Sequence, residues 1–159
     1  MGKALLFPDS VDALGDDGDG LSTEVWWSPN HPFSSSLTGQ SANELAEAYT
    51  EATSKQWTQP IGFAHGMFEV ALDALNRSGE IEPAAIRDAV ATTDLDTIVG
   101  KVQWGADANV PKNVAKTPLV GGQWTKSDGG EFTYDMVIVS NKDHPDIPAA
   151  GTLRPIPGS

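Results

Sequence analysis

Asp9 stands directly behind Phe7-Pro8, at the end of the apolar run 3–7, "KALLF". That run predicts a short buried strand closed by Pro8. The carboxylate would then lie just beyond the strand's carboxyl end, where open α/β sheets hold their ligands. There it can grip an ammonium group through charge-assisted hydrogen bonds. Asp9 can also cap a short helix starting near Ser10, so position alone leaves both roles open. His31, His65 and His144 have no i, i+4 histidine partner and no HExxH motif, so no metal site is expected. His65 falls on a strongly helical stretch beside Ala64. It is either a satisfied, partly buried histidine or a cleft group. The run 16–20, "DDGDG", fails the calcium-loop spacing. Counted from Asp17 the fifth position is Leu21, and counted from Asp16 the twelfth is Trp27. A solvated turn is expected there. Ser34-Ser35-Ser36 has no adjacent base, and neither a nucleophile elbow nor a phosphate-cradling glycine loop occurs. No constellation points to an enzyme.

Composition narrows the classes further. The 159 residues hold 22 Asp+Glu against 10 Lys+Arg, a formal net charge of -12. That balance argues against nucleic-acid backbones and anionic membranes as partners. The absence of cysteine excludes disulfides, thiolate catalysis and Cys-ligated metals. The longest apolar run near the N-terminus, Ala4–Phe7, is too short for a signal-peptide core of about 7–15 residues. No export address is read in this stretch.

The elements that must position these residues read as two strands, three helices and three strands. The second strand spans 21–27, with Val25 and Trp27 on one face and Glu24 and Trp26 on the other. Trp27 is therefore expected in the core and Trp26 toward a cleft or hinge. Residues 28–40 form an irregular connection. Ser41 and Glu44 have capping-box spacing, which predicts a helix to about 54 with Leu45, Ala48, Tyr49 and Ala52 on one face. Pro60 opens and Gly79 closes the next helix, whose core face reads Ile61, Ala64, Phe68, Ala71, Leu72 and Leu75. A third helix covers 82–93. Strands are expected at 97–104, 117–125 and 131–140, the last two joined by a turn at 127–130. The tail 141–159 has four prolines and predicts an extended, partly mobile end. Strands split between the two ends leave sheet edges uncovered. The chain is therefore expected to self-associate, with exchange of strands between copies as one route.

This ordered set resembles the C-terminal part of a type I periplasmic substrate-binding protein of the branched-chain amino acid or amide ABC-transporter class. The likeness runs through "FPD", "GLSTEVWWSP", "ANELAEAYTEAT", "IGFAHGMFEVALDALNRSG", "AAIRDAV", "DLDTIVGKVQW" and "PLVGGQWTKSDGGEFTYDMVIV", over about residues 3–140. It implies an α/β fold, part of a two-lobed clamp, with a parallel sheet flanked by helices, crossover strands and a C-terminal hairpin. On that pattern, residues 1–19 supply the last strand and short helix of the second lobe. Residues 20–28 supply a crossover strand, 29–140 the C-terminal part of the first lobe, and 141–159 a Pro-rich tail. The implied function is solute binding for an ABC importer, with an amino acid or small amide held between the lobes and a permease as partner. A ligand-sensing regulatory domain on the same fold is the alternative. No cofactor, metal or nucleic acid is implied, and the full-length parent would be periplasmic or extracytoplasmic. Asp9 matches the residue that binds the ligand's α-ammonium, and Phe63 matches an aromatic ligand contact. Trp26 and His65 complete the candidate site. The double tryptophan departs from the family's usual aliphatic residues there and suggests a larger or flatter ligand.

Overall fold

The computed structural model describes residues 3–155. Three antiparallel strands form its main sheet, in the order β1 (Ser22–Val25), β4 (Val120–Lys126), β5 (Tyr134–Ser140). Helices α1 (Pro8–Asp12), α2 (Ala42–Thr53), α3 (Gln59–Ser78) and α4 (Pro83–Ala91) accompany it. A separate two-stranded hairpin, β2 (Asp94–Thr97) with β3 (Gly100–Gln103), completes the set. All strand pairs among the described residues are antiparallel. The parallel sheet implied by the resemblance is not formed by these residues.

The sheet core joins Val25, Trp124, Tyr134, Ile138 and Ile147 with Val11 of α1. Strand β1 pairs with β4 from Ser22 opposite Gln123 to Val25 opposite Val120. At Gly122 an added Cβ would come within 2.4 Å of Val25 and 2.5 Å of Met136. Only a glycine lets those two side chains meet there. The β4–β5 hairpin expected around 127–130 is present.

Several expectations fail, each for a physical reason. Residues 3–7 are not a buried strand. Lys3–Leu6 form a 3-10 turn, Phe7 is exposed, and the Phe7 N–H closes locally onto the Ala4 carbonyl at 3.1 Å. A lone strand with no sheet neighbour would leave its backbone groups unpaired, whereas a turn satisfies them within itself. Trp124 fastens this segment by donating Nε1–H to the Leu5 carbonyl at 2.8 Å. The strand expected at 97–104 is instead the β2–β3 hairpin, turning at Ile98-Val99. Those residues lack turn chemistry, but both are buried, and the turn tucks under α3. The tail is not loose over its described part. Ile147 is fully buried, Ala150 and Gly151 donate to the Ile138 carbonyl, and the Arg154 guanidinium clasps Asp19 at 2.9 and 2.5 Å. Residues 156–159 of the expected tail lie outside the described residues.

The helices keep their expected bounds to within two residues and change their faces. The Ser41–Glu44 capping box forms in both directions, Pro60 sits in the first turn of α3, and Gly79 closes it at φ 70°. On α2 the buried positions are Ala42 and Ala46, while Ala48 and Ala52 are exposed. On α3 the buried residues are Gln59, Gly62, Gly66, Glu69 and Ala74. Ala64, Phe68, Ala71, Leu72 and Leu75, expected to be its core face, are exposed. Helical period locates an apolar stripe; it does not say whether this chain covers it.

Candidate functional site

The inward face of α3 positions the candidate site through unusually close packing. A Cβ on Gly62 would stand 2.3 Å from the Trp27 ring, so glycine here lets the indole lie flat on the helix backbone. Trp27 is fully buried, as its strand face predicted, and meets Trp57 edge-on at 6.0 Å. One turn along, Gly66 admits Val99 of the β2–β3 turn. Glu69 then ties two loops to the helix. Its carboxylate accepts from the Ser36 N–H at 2.6 Å, the Ser36 hydroxyl at 2.9 Å and the Ile98 N–H at 3.0 Å. At the helix start, Gln59 bridges the end of β1, accepting from Trp26 N–H at 2.8 Å and donating to the Glu24 carbonyl at 3.1 Å.

These anchors set Trp26 against Phe63. The rings meet edge to face, with centroids 6.0 Å apart at 77°. Both line a groove of about 420 Å³ with Pro60, Thr117, Pro118 and Leu119. The wall is apolar, and its floor is fixed by two prolines and a pinned backbone. Such a surface can hold an apolar or aromatic ligand part with little loss of side-chain freedom. Phe63 and Thr117 also line a second groove, of about 410 Å³, that runs past Val99 and Val102 toward Trp104.

Two of the four candidate residues are thus brought together, and two stand apart. Asp9 is exposed in the first turn of α1 and is not among the side chains lining this groove. Nor does it cap the helix, since the N-cap position falls on Phe7 and no side-chain cap bond forms. His65 spends Nε2 on the buried Ser35 hydroxyl at 2.6 Å. That oxygen already accepts from the Leu37 and Thr38 N–H groups, both at 3.1 Å. The hydroxyl proton therefore points to His65, and the pair pins a loop to α3. The groove residues that sequence reasoning missed are Pro60, read only as a helix opener, and Thr117, Pro118 and Leu119. Pro118 was a usable signal, because a proline beside a strand start marks a rigid, unpaired edge.

His31 is buried, and burial pushes its pKa down to about 4. Its Nδ1 accepts from the Ser28 N–H at 3.0 Å and lies 2.9 Å from the Ser28 hydroxyl. Burial holds the ring neutral, and the Ser28 N–H at Nδ1 leaves the ring proton on Nε2. The acidic turn also has a structural task. Asp19 is drawn down to about 2 by its bond to Arg154, helped by the Lys126 N–H at 2.9 Å, and Asp16 pairs with the Lys126 ammonium.

No family model and no curated protein matches this chain. Solved structures do match. A leucine-binding protein from Thermotoga maritima MSB8 aligns with 86% of this chain and 35% of its own length, at 20% identity and a TM-score of 0.60. An ABC-transporter substrate-binding protein from Sphaerobacter thermophilus aligns with 84% of the chain and 33% of its own, at 17% identity and 0.60. A leucine-, isoleucine-, valine-, threonine- and alanine-binding protein from Brucella ovis, in its closed conformation, aligns with 95% and 39%, at 19% and 0.57. The chain spans between a third and two-fifths of the length of these structures. On this likeness, the chain carries part of the type I periplasmic substrate-binding-protein fold.

Proposed function

We propose that the chain works as the C-terminal part of a two-lobed solute-binding protein that delivers to an ABC permease. Its ligand is an amino acid or a related small molecule bearing an ammonium or amide group. The observation that carries this reading is the Trp26–Phe63 pair, fixed edge to face in one apolar groove at the end of β1. The structural neighbours, two amino-acid-binding proteins and one ABC-transporter substrate-binding protein by their own descriptions, support the role. Residues 20–28 act as the crossover between lobes, and 29–140 belong to the first lobe. Trp26 and Phe63 form the apolar wall, and Asp9 supplies the ammonium contact once the lobes close. Closure is then a population shift driven by tighter binding to the closed form. The protein acts outside the cytoplasm and uses no covalent chemistry. Among the described residues, no helix is long and apolar enough to cross a membrane.

The test is calorimetric titration of the two-lobed protein containing this stretch against branched and aromatic amino acids and small amides. A saturable heat with at least one of them is expected. The isolated chain, lacking the opposite lobe, should bind the same ligand at least about a hundredfold more weakly. Silence across the panel, together with turnover of any substrate, would sink the reading.

A further inference from the structure

The groove at the end of β1 is walled by two aromatic rings set nearly at right angles. Trp26 and Phe63 stand 6.0 Å apart between centroids, with 77° between their planes. The buried Gln59 amide holds the Trp26 N–H at 2.8 Å, and Phe63 rides on α3, in the turn that Pro60 opens. None of the residues lining the groove, Trp26, Pro60, Phe63, Thr117, Pro118 and Leu119, is charged, and Thr117 alone brings a hydroxyl.

Ring geometry separates the ligand parts that such a groove could take. Aromatic rings favour two arrangements, offset stacking and edge to face. A flat ring laid parallel to one wall stands nearly perpendicular to the other, because the walls are themselves 77° apart. One ligand ring therefore makes both favoured contacts at once. A branched aliphatic group meets the same walls and makes neither. Size acts in the same direction. The groove's volume of about 420 Å³ is the share of about 14 water molecules in the liquid. A fused ring fills much of it, whereas an isobutyl group leaves most of it to water. Nor does the apolar surface stop at one ring's length, since Phe63 and Thr117 also line the groove of about 410 Å³ that runs toward Trp104. We propose that this groove selects an aromatic, fused-ring group over a branched aliphatic one, and that Trp26 is the residue that determines the choice. The inference rests on the solute-binding reading above and narrows its ligand class.

Calorimetric titration of the two-lobed protein with two matched pairs of compounds tests it: free leucine against free tryptophan, and isovaleramide against indole-3-acetamide. The members of a pair share their polar end, so the ratio of their dissociation constants reads the apolar part alone. In whichever pair binds, the indole member should be tighter by at least about tenfold, from two ring contacts and the larger area buried. Trp26→Leu removes one ring wall and should bring the ratio close to unity. An aliphatic member that binds the wild type as tightly as its indole partner would overturn the proposal and leave solute binding standing; that comparison needs no variant to fold. A preference that persists in Trp26→Leu, with the far-ultraviolet circular dichroism of the wild type, would overturn the role given to Trp26. Heat from none of the four compounds would overturn the proposal together with the ammonium-or-amide ligand class on which it rests.

Discussion

Gly62 and Trp27 determine one another. The indole occupies the volume that any β-carbon at position 62 would need, 2.3 Å from its own atoms. Gly62→Ala should therefore lower stability by about 3 kcal/mol, the upper range for overpacking a tight core. A urea midpoint shift of that size would show it; a change within error would mean that Trp27 moves freely. His31 sets a pH dependence of known sign. Its folded pKa, about 4, lies below the ordinary value of 6.5. Below pH 6.5 the unfolded chain takes up a proton that the folded chain refuses, so stability is complete above that value. It should decline by about 3 kcal/mol between pH 6.5 and 4, then level with respect to this group. Asp146 and His144 are the neighbouring charges, acting in opposite directions. His31→Asn keeps an acceptor near the Ser28 N–H and removes the titration. Its melting temperature should be flat across that interval, and an unchanged slope would assign the loss to another group. Asp19, held near 2 by Arg154, adds a separate loss as pH falls from about 3.8, a small one because the pair is partly exposed.

At the scale of elements, the ends of helices were legible and their faces were not. Ser41 with Glu44, Pro60 and Gly79 act through local backbone geometry, which depends on nearby residues alone. The burial of α3 depends on what the rest of the chain supplies. Its inward side is built of Gln59, Gly62, Gly66 and Glu69, which no hydrophobicity pattern selects. Ile98-Val99 hid a turn because two β-branched residues read as strand, and their burial beneath α3 is a tertiary effect. The same holds for Lys3–Phe7, apolar enough for a strand but given no neighbour to pair with. Of the candidate site, Trp26 and Phe63 were legible from alternation and resemblance. The 117–119 wall was not, because it joins them only across the fold. The tail supplies a prediction of its own. Asp19→Asn removes the charge that Arg154 clasps. Limited proteolysis should then cleave within 151–155 several-fold faster, while the sheet melts nearly unchanged, since the pair is partly exposed. Equal cleavage rates would show that the Gln123 bonds to Arg154 hold the tail unaided.

The described residues form an antiparallel sheet, three longer helices and a hairpin, with two apolar grooves that share Phe63 and an apolar helix face turned outward. These features match part of a larger fold whose solved examples are between about two and a half and three times as long as the aligned stretch. On the proposed function, the groove at the end of β1 is the apolar wall of the ligand site. The decisive measurement is the ligand dissociation constant of the two-lobed protein in four forms: wild type, Trp26→Ala, Phe63→Ala and Leu153→Ala. Leu153 is exposed and lies outside the groove. Removing either aromatic should weaken binding at least about tenfold, as expected for a buried aromatic contact, while Leu153→Ala binds as wild type does. Wild-type affinity in both aromatic variants would contradict the assignment of this groove as the ligand's wall.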